Sequence, residues 1–137
     1  MASENVDLVR SIYSAWEEGE FGRTAEWADP EIEWVNFGGP AAGGRTGIDG
    51  VEGFWEEVLG SWEQLRASPQ RYIEVDQDRV LVVSRLSGRS TDGETEIEHE
   101  RAGLFRISHG RVTRVIFYWE PARAYADLGL EPDGPPE

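Results

Sequence analysis

The stretch Ile97-Glu98-His99-Glu100-Arg101-Ala102-Gly103-Leu104-Phe105-Arg106-Ile107 alternates strictly along its length. In an extended chain successive side chains point to opposite sides. Ile97, His99, Arg101, Gly103, Phe105 and Ile107 therefore share one face, and Glu96, Glu98, Glu100, Ala102, Leu104 and Arg106 share the other. The turn Ser108-His109-Gly110 leads into a strand over 111–119, where Val115, Phe117 and Trp119 oppose Val112, Ile116 and Tyr118. Both faces of that strand are apolar, which predicts a sheet covered on both sides. Strands over 71–75 and 80–87, separated by Asp76-Gln77-Asp78 and a turn over 88–93, complete an antiparallel meander.

The half before this meander reads mainly as helix. Val6, Val9, Ile12 or Tyr13, and Trp16 recur at helical spacing, with Asn5 as the expected N-cap and Gly19 as the stop. A shorter helical piece is predicted over 23–28. Ile32, Trp34 and Asn36 then alternate as one strand, and 38–47 reads as a glycine-rich loop. A third helix is predicted from Thr46, with Asp49 completing a capping box. Its buried stripe is Ile48, Val51, Trp55, Val58, Trp62 and Leu65. The order predicts an α+β domain over 1–130: three N-terminal helices on a mostly antiparallel sheet, with an acidic, proline-rich tail at 131–137. Helices on one side leave the other sheet face for a partner subunit, so a homodimer through the outer face is expected.

Composition narrows the chemistry. Of 137 residues 27 are acidic and 13 basic, a net charge of -14, and every basic residue is Arg. The absence of Lys and Cys removes Schiff-base, thiolate and disulfide chemistry, and thiolate-ligated metal with them. The charge disfavours nucleic acid and anionic membrane surfaces as partners. No signal-peptide pattern or membrane-length apolar run is present, so a cytoplasmic location is expected. Six Trp and 11% aromatic residues can bury a substantial core, which argues against disorder.

The sequence resembles the SnoaL-like branch of the nuclear transport factor 2-like superfamily. The resemblance rests on Gly44, Arg45 and Ile48 opening the third helix, on Asp78-Arg79-Val80 and Gly110-Arg111-Val112, and on Ala126-Asp127-Leu128-Gly129-Leu130. It spans roughly residues 5 to 130 and implies a cystatin-like cone with a pocket for a small, mostly apolar molecule. Relatives include isomerases, cyclases, dehydratases and epoxide hydrolases. Carried over by spacing, the ketosteroid isomerase tyrosine falls on Ile12, its long-strand acid on Gly103 and its base near Trp34 or Asn36. The limonene epoxide hydrolase set becomes Trp34-Val35-Asn36, Arg85-Leu86-Ser87 and Phe117, which keeps Asn36 and Arg85 and loses both carboxylates. Neither catalytic set is retained.

The remaining pocket candidates are Tyr13, Trp16, Trp34, Asn36, Arg85, Ser87, His99, Arg101, Phe117 and Trp119. Such an aromatic lining with two guanidinium groups suits a carboxylate, phenolate or enolate, because Arg binds planar anions in a fork. Arg85 and Arg101 each admit a second reading, an ion pair with a Glu across the sheet. His99 is the acid–base candidate, because an unperturbed imidazole, with a pKa of about 6.5, suits proton transfer; a purely structural role is its alternative. Three functions fit. The first is an isomerase, cyclase or dehydratase with His99 as acid–base group and Arg85 and Arg101 stabilising oxyanion charge. The second is a non-catalytic binder of an apolar anion, and the third a dimerisation module with a filled pocket. No metal site and no cofactor are expected.

Overall fold

The computed structural model describes residues 4–38 and 43–130. The expectations for 39–42 of the glycine-rich loop and for the tail at 131–137 lie outside the described residues. Val6, Val9, Ile12, Tyr13 and Trp16 form the buried stripe of α1 (Glu4–Glu17). The chain leaves that helix through Gly19, whose φ of +85° is in the left-handed region that favours glycine. Asn5 lies inside α1 rather than capping it, and its Nδ2 donates to the Gln77 carbonyl at 2.8 Å.

The helical piece predicted over 23–28 is a single 3-10 turn, Thr24–Glu26, and Ala28 already begins β1 (Ala28–Phe37). Pro30 accounts for this, because the residue before a proline is pushed towards extended backbone. The glycine-rich stretch contains a strand that alternation could not reveal, β2 (Gly43–Thr46), antiparallel to β1 with Trp34 opposite Arg45. Thr46 precedes α2 (Gly47–Ser61) in extended conformation and makes no side-chain cap bond, so the predicted capping box is not formed. That helix ends four residues early. Trp62 opens β3 (Trp62–Glu74), and Leu65 and Ala67 are buried at strand spacing rather than helix spacing.

β4 (Arg79–Ser90), β5 (Glu96–Ser108) and β6 (Arg111–Tyr118) complete a six-stranded sheet of order β2-β1-β6-β5-β4-β3. Only the β1–β6 pair is parallel. A register shift between Arg106 and Ile107 turns Val112 inward together with Val115 and Phe117, where simple alternation placed it on the opposite face. The fold is the predicted α+β sheet with helices, but the helices are divided between its two faces. α1 and α2 cover the inner face, whereas α3 (Pro121–Leu128) crosses the outer one. Ala124 and Tyr125 of α3 pack there with Ile73, Leu81, Val83, Ala102, Leu104 and Tyr118. The chain's own C-terminal helix thus covers part of the outer sheet face, over β5 and β6.

The inner core converges on Trp16, which is 1% exposed. Its ring centroid lies between 4.9 and 6.3 Å from those of Tyr13, Phe21, Trp27, Trp34, Trp55, Phe105 and Phe117. Aromatic pairs at such separations add to simple area burial. Trp16→Ala is expected to lower the unfolding free energy by about 3–5 kcal/mol. Equilibrium urea unfolding reads this as a large fall in midpoint at unchanged slope, and Trp16→Phe should lose much less. Equal midpoints for wild type and Trp16→Ala would remove Trp16 from its central place.

Candidate functional site

A cavity of about 450 Å³ opens between α2, the β1–β2 end of the sheet and the inner faces of β3, β4 and β5. Phe54, Trp55, Val58, Trp62, Leu65, Leu86, Ile97 and Trp119 supply its apolar wall. Its polar side chains are Asn36, Arg45, Glu57, Ser61 and Arg101. Two cations in this lining have opposite circumstances. Arg45 Nη2 holds Glu57 Oε2 at 2.7 Å near the surface, so its charge is matched. Arg101 is 6% exposed and has no ion pair among the described residues.

The strand places Arg101 there. It stands opposite Ser84 in the β4–β5 register, on the inward face that also carries Gly103 and Phe105. The guanidinium carbon sits 4.3 Å from the centre of the Phe117 ring, a cation–π contact with a floor residue. Its Nε and Nη2 are buried and have no hydrogen-bond acceptor, and burial pulls its pKa down from the usual guanidinium value. Tyr13 and Ser84 are its polar neighbours within the protein. Their hydroxyl oxygens are also buried and make no hydrogen bond of good geometry, although Ser84 lies close enough to act on the phenol. Burial pushes the Tyr13 pKa up to about 12, against a smaller opposing effect of the Arg101 charge.

Gly103 makes room for that phenol. A Cβ at position 103 would stand 3.1 Å from the Tyr13 hydroxyl and 3.0 Å from the Phe117 ring. Family spacing put the tyrosine position on Ile12, but the residue whose hydroxyl faces Gly103 is the next one along, Tyr13.

The other sequence candidates divide into three groups. Asn36, Arg101 and Trp119 line the cavity. Tyr13, Trp16, Trp34 and Phe117 lie beneath it as fully packed core, each 2% exposed or less. Arg85 and Ser87 are on the wrong face: Arg85 is opposite Glu100 and Ser87 opposite Glu98, so both point to the outer side of the sheet. There Arg85 Nη1 donates to Glu98 Oε1 at 2.9 Å in an exposed ion pair, the second of the two readings its sequence admits. The inward residues of β4 are Val80, Val82, Ser84 and Leu86.

His99 faces inward, but its ring is stacked on Trp119 at 3.8 Å with the planes 12° apart. His99 Nε2 lies 2.6 Å from the Trp119 carbonyl oxygen, which can only accept, so Nε2 carries the proton. The imidazole therefore backs a cavity wall and does not line the cavity itself. Sequence reasoning missed Arg45, Glu57, Phe54, Leu65 and Ser84. Ser84 had a readable signal, a single hydroxyl in the inward series Val80, Val82, Ser84, Leu86. Among the described residues no cluster of His, Asp and Glu could hold a metal ion, and no helix is long and apolar enough to cross a membrane.

A curved sheet wrapped around an aromatic core, with a cavity between sheet and helix, defines a nuclear transport factor 2-like fold, and solved structures agree. A protein of this class from Burkholderia pseudomallei, of unknown function, is 19% identical, with TM-score 0.76 over 91% of this chain and 97% of that one. TerC, co-crystallised with polyporic acid, is 22% identical, with TM-score 0.75 over 92% and 98% of the two chains. A protein from Jannaschia sp. CCS1 named for the SnoaL-like polyketide cyclases is 17% identical, with TM-score 0.72 over 94% of each. Residues 9–115 match the model of the SnoaL-like domain, and the chain belongs to that family. No curated protein is significantly similar in sequence.

The buried phenol gives a pH signature. The pKa of Tyr13 rises from 10.0 to about 12 in the folded state. Its contribution to stability is fully present below pH 10, where both states hold the proton. It is lost as pH rises through 12, because the unfolded state releases the proton first. The loss should be roughly 2–3 kcal/mol. Urea unfolding across this window should show a steeper decline for wild type than for Tyr13→Phe, and parallel declines would contradict the assignment.

Proposed function

We propose that this SnoaL-like protein binds a small, largely apolar molecule carrying a planar anionic group, with the anion meeting Arg101 in the cavity. The observation that carries this reading is a buried guanidinium, two of its nitrogens without acceptors, bordering a largely apolar cavity whose one carboxylate, Glu57, is held by Arg45. Burying an unpaired charge costs several kcal/mol. An anionic ligand would offset that cost on arrival, whereas a neutral ligand of the same shape would not. Trp55 and Trp119 offer flat apolar surface to a ring system, and Asn36 adds a donor and an acceptor. That TerC, which shares the fold, was crystallised with an acid is consistent with an acidic ligand here.

A catalytic reading as an isomerase, cyclase or dehydratase rests on the same cation. A guanidinium held in place before reaction would stabilise enolate charge developing on a bound carbonyl compound. The position of His99 against Trp119 gives it a supporting role in this reading, unless the ring turns away from the Trp119 carbonyl. Arg85, on the opposite face, takes no part. Neither reading needs a second chain to complete the cavity.

Thermal shift with matched ligands tests the proposal. Apolar carboxylates and phenols, for instance naphthoate, should stabilise the protein while the corresponding amides do so far less. At a hundredfold excess over Kd the gain should be about 2.7 kcal/mol. Arg101→Met should abolish the difference between acid and amide while raising the stability of the ligand-free protein by about 1–3 kcal/mol. An acid preference that survives Arg101→Met would defeat the proposal. Product analysis of each stabilising ligand then separates a binder from an enzyme.

A further inference from the structure

The cavity has a second polar locus, separate from Arg101. Across the β1–β2 pair Asn36 stands opposite Gly43 and Trp34 opposite Arg45. Asn36 and Arg45 are therefore diagonal neighbours on one face of the sheet, within reach of long side chains. Glu57 and Ser61 are four residues apart on α2 and so share one face of that helix. All four line the cavity. In the strand order β2-β1-β6-β5, three steps separate Arg45 from Arg101, about 14 Å along the sheet. The second locus also borders solvent, since the side chains of Arg45 and Glu57 are 35% and 67% exposed.

The two loci differ in charge. Arg101 is buried with no ion pair among the described residues, whereas Arg45 Nη2 holds Glu57 Oε2 at 2.7 Å. Packing against α2 keeps Arg45 in place. Its guanidinium carbon is 5.9 Å from the centre of the Phe54 ring, and Gly50 and Gly53 turn no side chain towards it. A Cβ at position 50 would stand 3.4 Å from Arg45 Cβ, and one at 53 would stand 3.7 Å from Nη1. This rim is thus polar but electrically balanced, and with Asn36 and Ser61 it offers donors and acceptors together. A neutral hydroxyl or carbonyl group finds partners there. A second carboxylate would give up water for a cation that is already matched.

We propose, on the footing that Arg101 takes the ligand's acid, that the ligand is a monoacid with a neutral hydrogen-bonding group at its far end, and that Glu57 excludes diacids. Glu57 is then a specificity-determining residue, acting against the wrong ligand by keeping Arg45 occupied. Removing its charge frees a guanidinium at the rim and changes which ligand fits best.

Calorimetric titration of the full chain with three probes tests this. They are naphthoate, naphthoate with a hydroxyl on the far ring, and naphthalene dicarboxylate with its second acid at that same position. In the wild type the hydroxy acid should bind roughly three- to tenfold more tightly than naphthoate. The diacid should bind more weakly than either. In Glu57→Gln the diacid should gain roughly tenfold or more and become the tightest of the three. The variant should fold normally, its Tm within roughly 5 °C of wild type, because an exposed ion pair contributes little. Glu56→Gln removes the same charge from a residue outside the cavity lining and should leave the order unchanged. A diacid that binds the wild type as tightly as naphthoate, or an order that survives Glu57→Gln, would overturn the proposal while the preference for acid over amide still stands. An equal gain in Glu56→Gln would overturn it too, by tracing the effect to net charge. Naphthoate binding no better than its amide would instead remove Arg101 as the partner of the acid, and the proposal with it.

Discussion

The convergence of rings on Trp16 is the constraint around which the molecule is arranged. Tyr13 and Trp16 come from α1, Trp34 from β1, Trp55 from α2, Phe105 from β5 and Phe117 from β6, so most layers of the inner side meet in one cluster. A short α1 has too few residues to hold itself against solvent by propensity alone. Packing of its aromatic stripe into the concave sheet supplies what propensity does not. The same cluster decides where empty space is left. Side chains expected to surround a ligand instead fill the interior beneath it, and the cavity is confined to the end where α2 meets β1, β2 and Trp119.

That floor also sets the state of Arg101. An arginine on a strand normally reaches water or a neighbouring carboxylate, but here the inward face directs it onto the Phe117 ring with Tyr13 and Ser84 beside it. The face of an aromatic ring attracts a cation by its quadrupole, worth about 2 kcal/mol when desolvated. This offsets part of the desolvation cost and leaves the charge itself unneutralised. Gly103 belongs to the same arrangement, since a Cβ there would crowd both the Phe117 ring and the Tyr13 hydroxyl. The polar atoms over the floor are thus held by packing rather than by hydrogen bonds with one another, which leaves them free to turn towards an incoming ligand.

How much of this was legible depended on whether a strand declares its own phase. β5 does: strict alternation from Ile97 to Ile107 put Arg101 and His99 inward, and the structure agrees. β4 does not, because Val80, Leu81, Val82 and Val83 are apolar on both faces. Its phase is fixed by pairing with β5, information that lies outside its own sequence, and Arg85 and Ser87 were misplaced for that reason. β2 was hidden by its glycines, which carry no side chain to alternate. The end of α2 was ambiguous because Val58, Trp62 and Leu65 fit helical spacing across the junction, although only Val58 belongs to the helix. The cavity itself was beyond reach, since it is defined by what α2, β1 and β5 leave unfilled between them.

The acidity of the chain sharpens the meaning of Arg101 and Arg106, neither of which has a carboxylate partner among the described residues. With 27 acidic residues against 13 basic ones, carboxylates are not scarce, and most exposed arginines find one within ion-pair distance. Arg101 lacks one because aromatic packing closes it off from the acidic surface. Arg106 lacks one because the register surrounds it with arginines across both neighbouring strands. In each case the position, rather than the supply of charge, prevents neutralisation by the described fold. The two differ in what this costs: Arg106 is exposed and its charge is solvated by water, whereas Arg101 is buried, so the unmatched charge destabilises the fold there until an anion arrives.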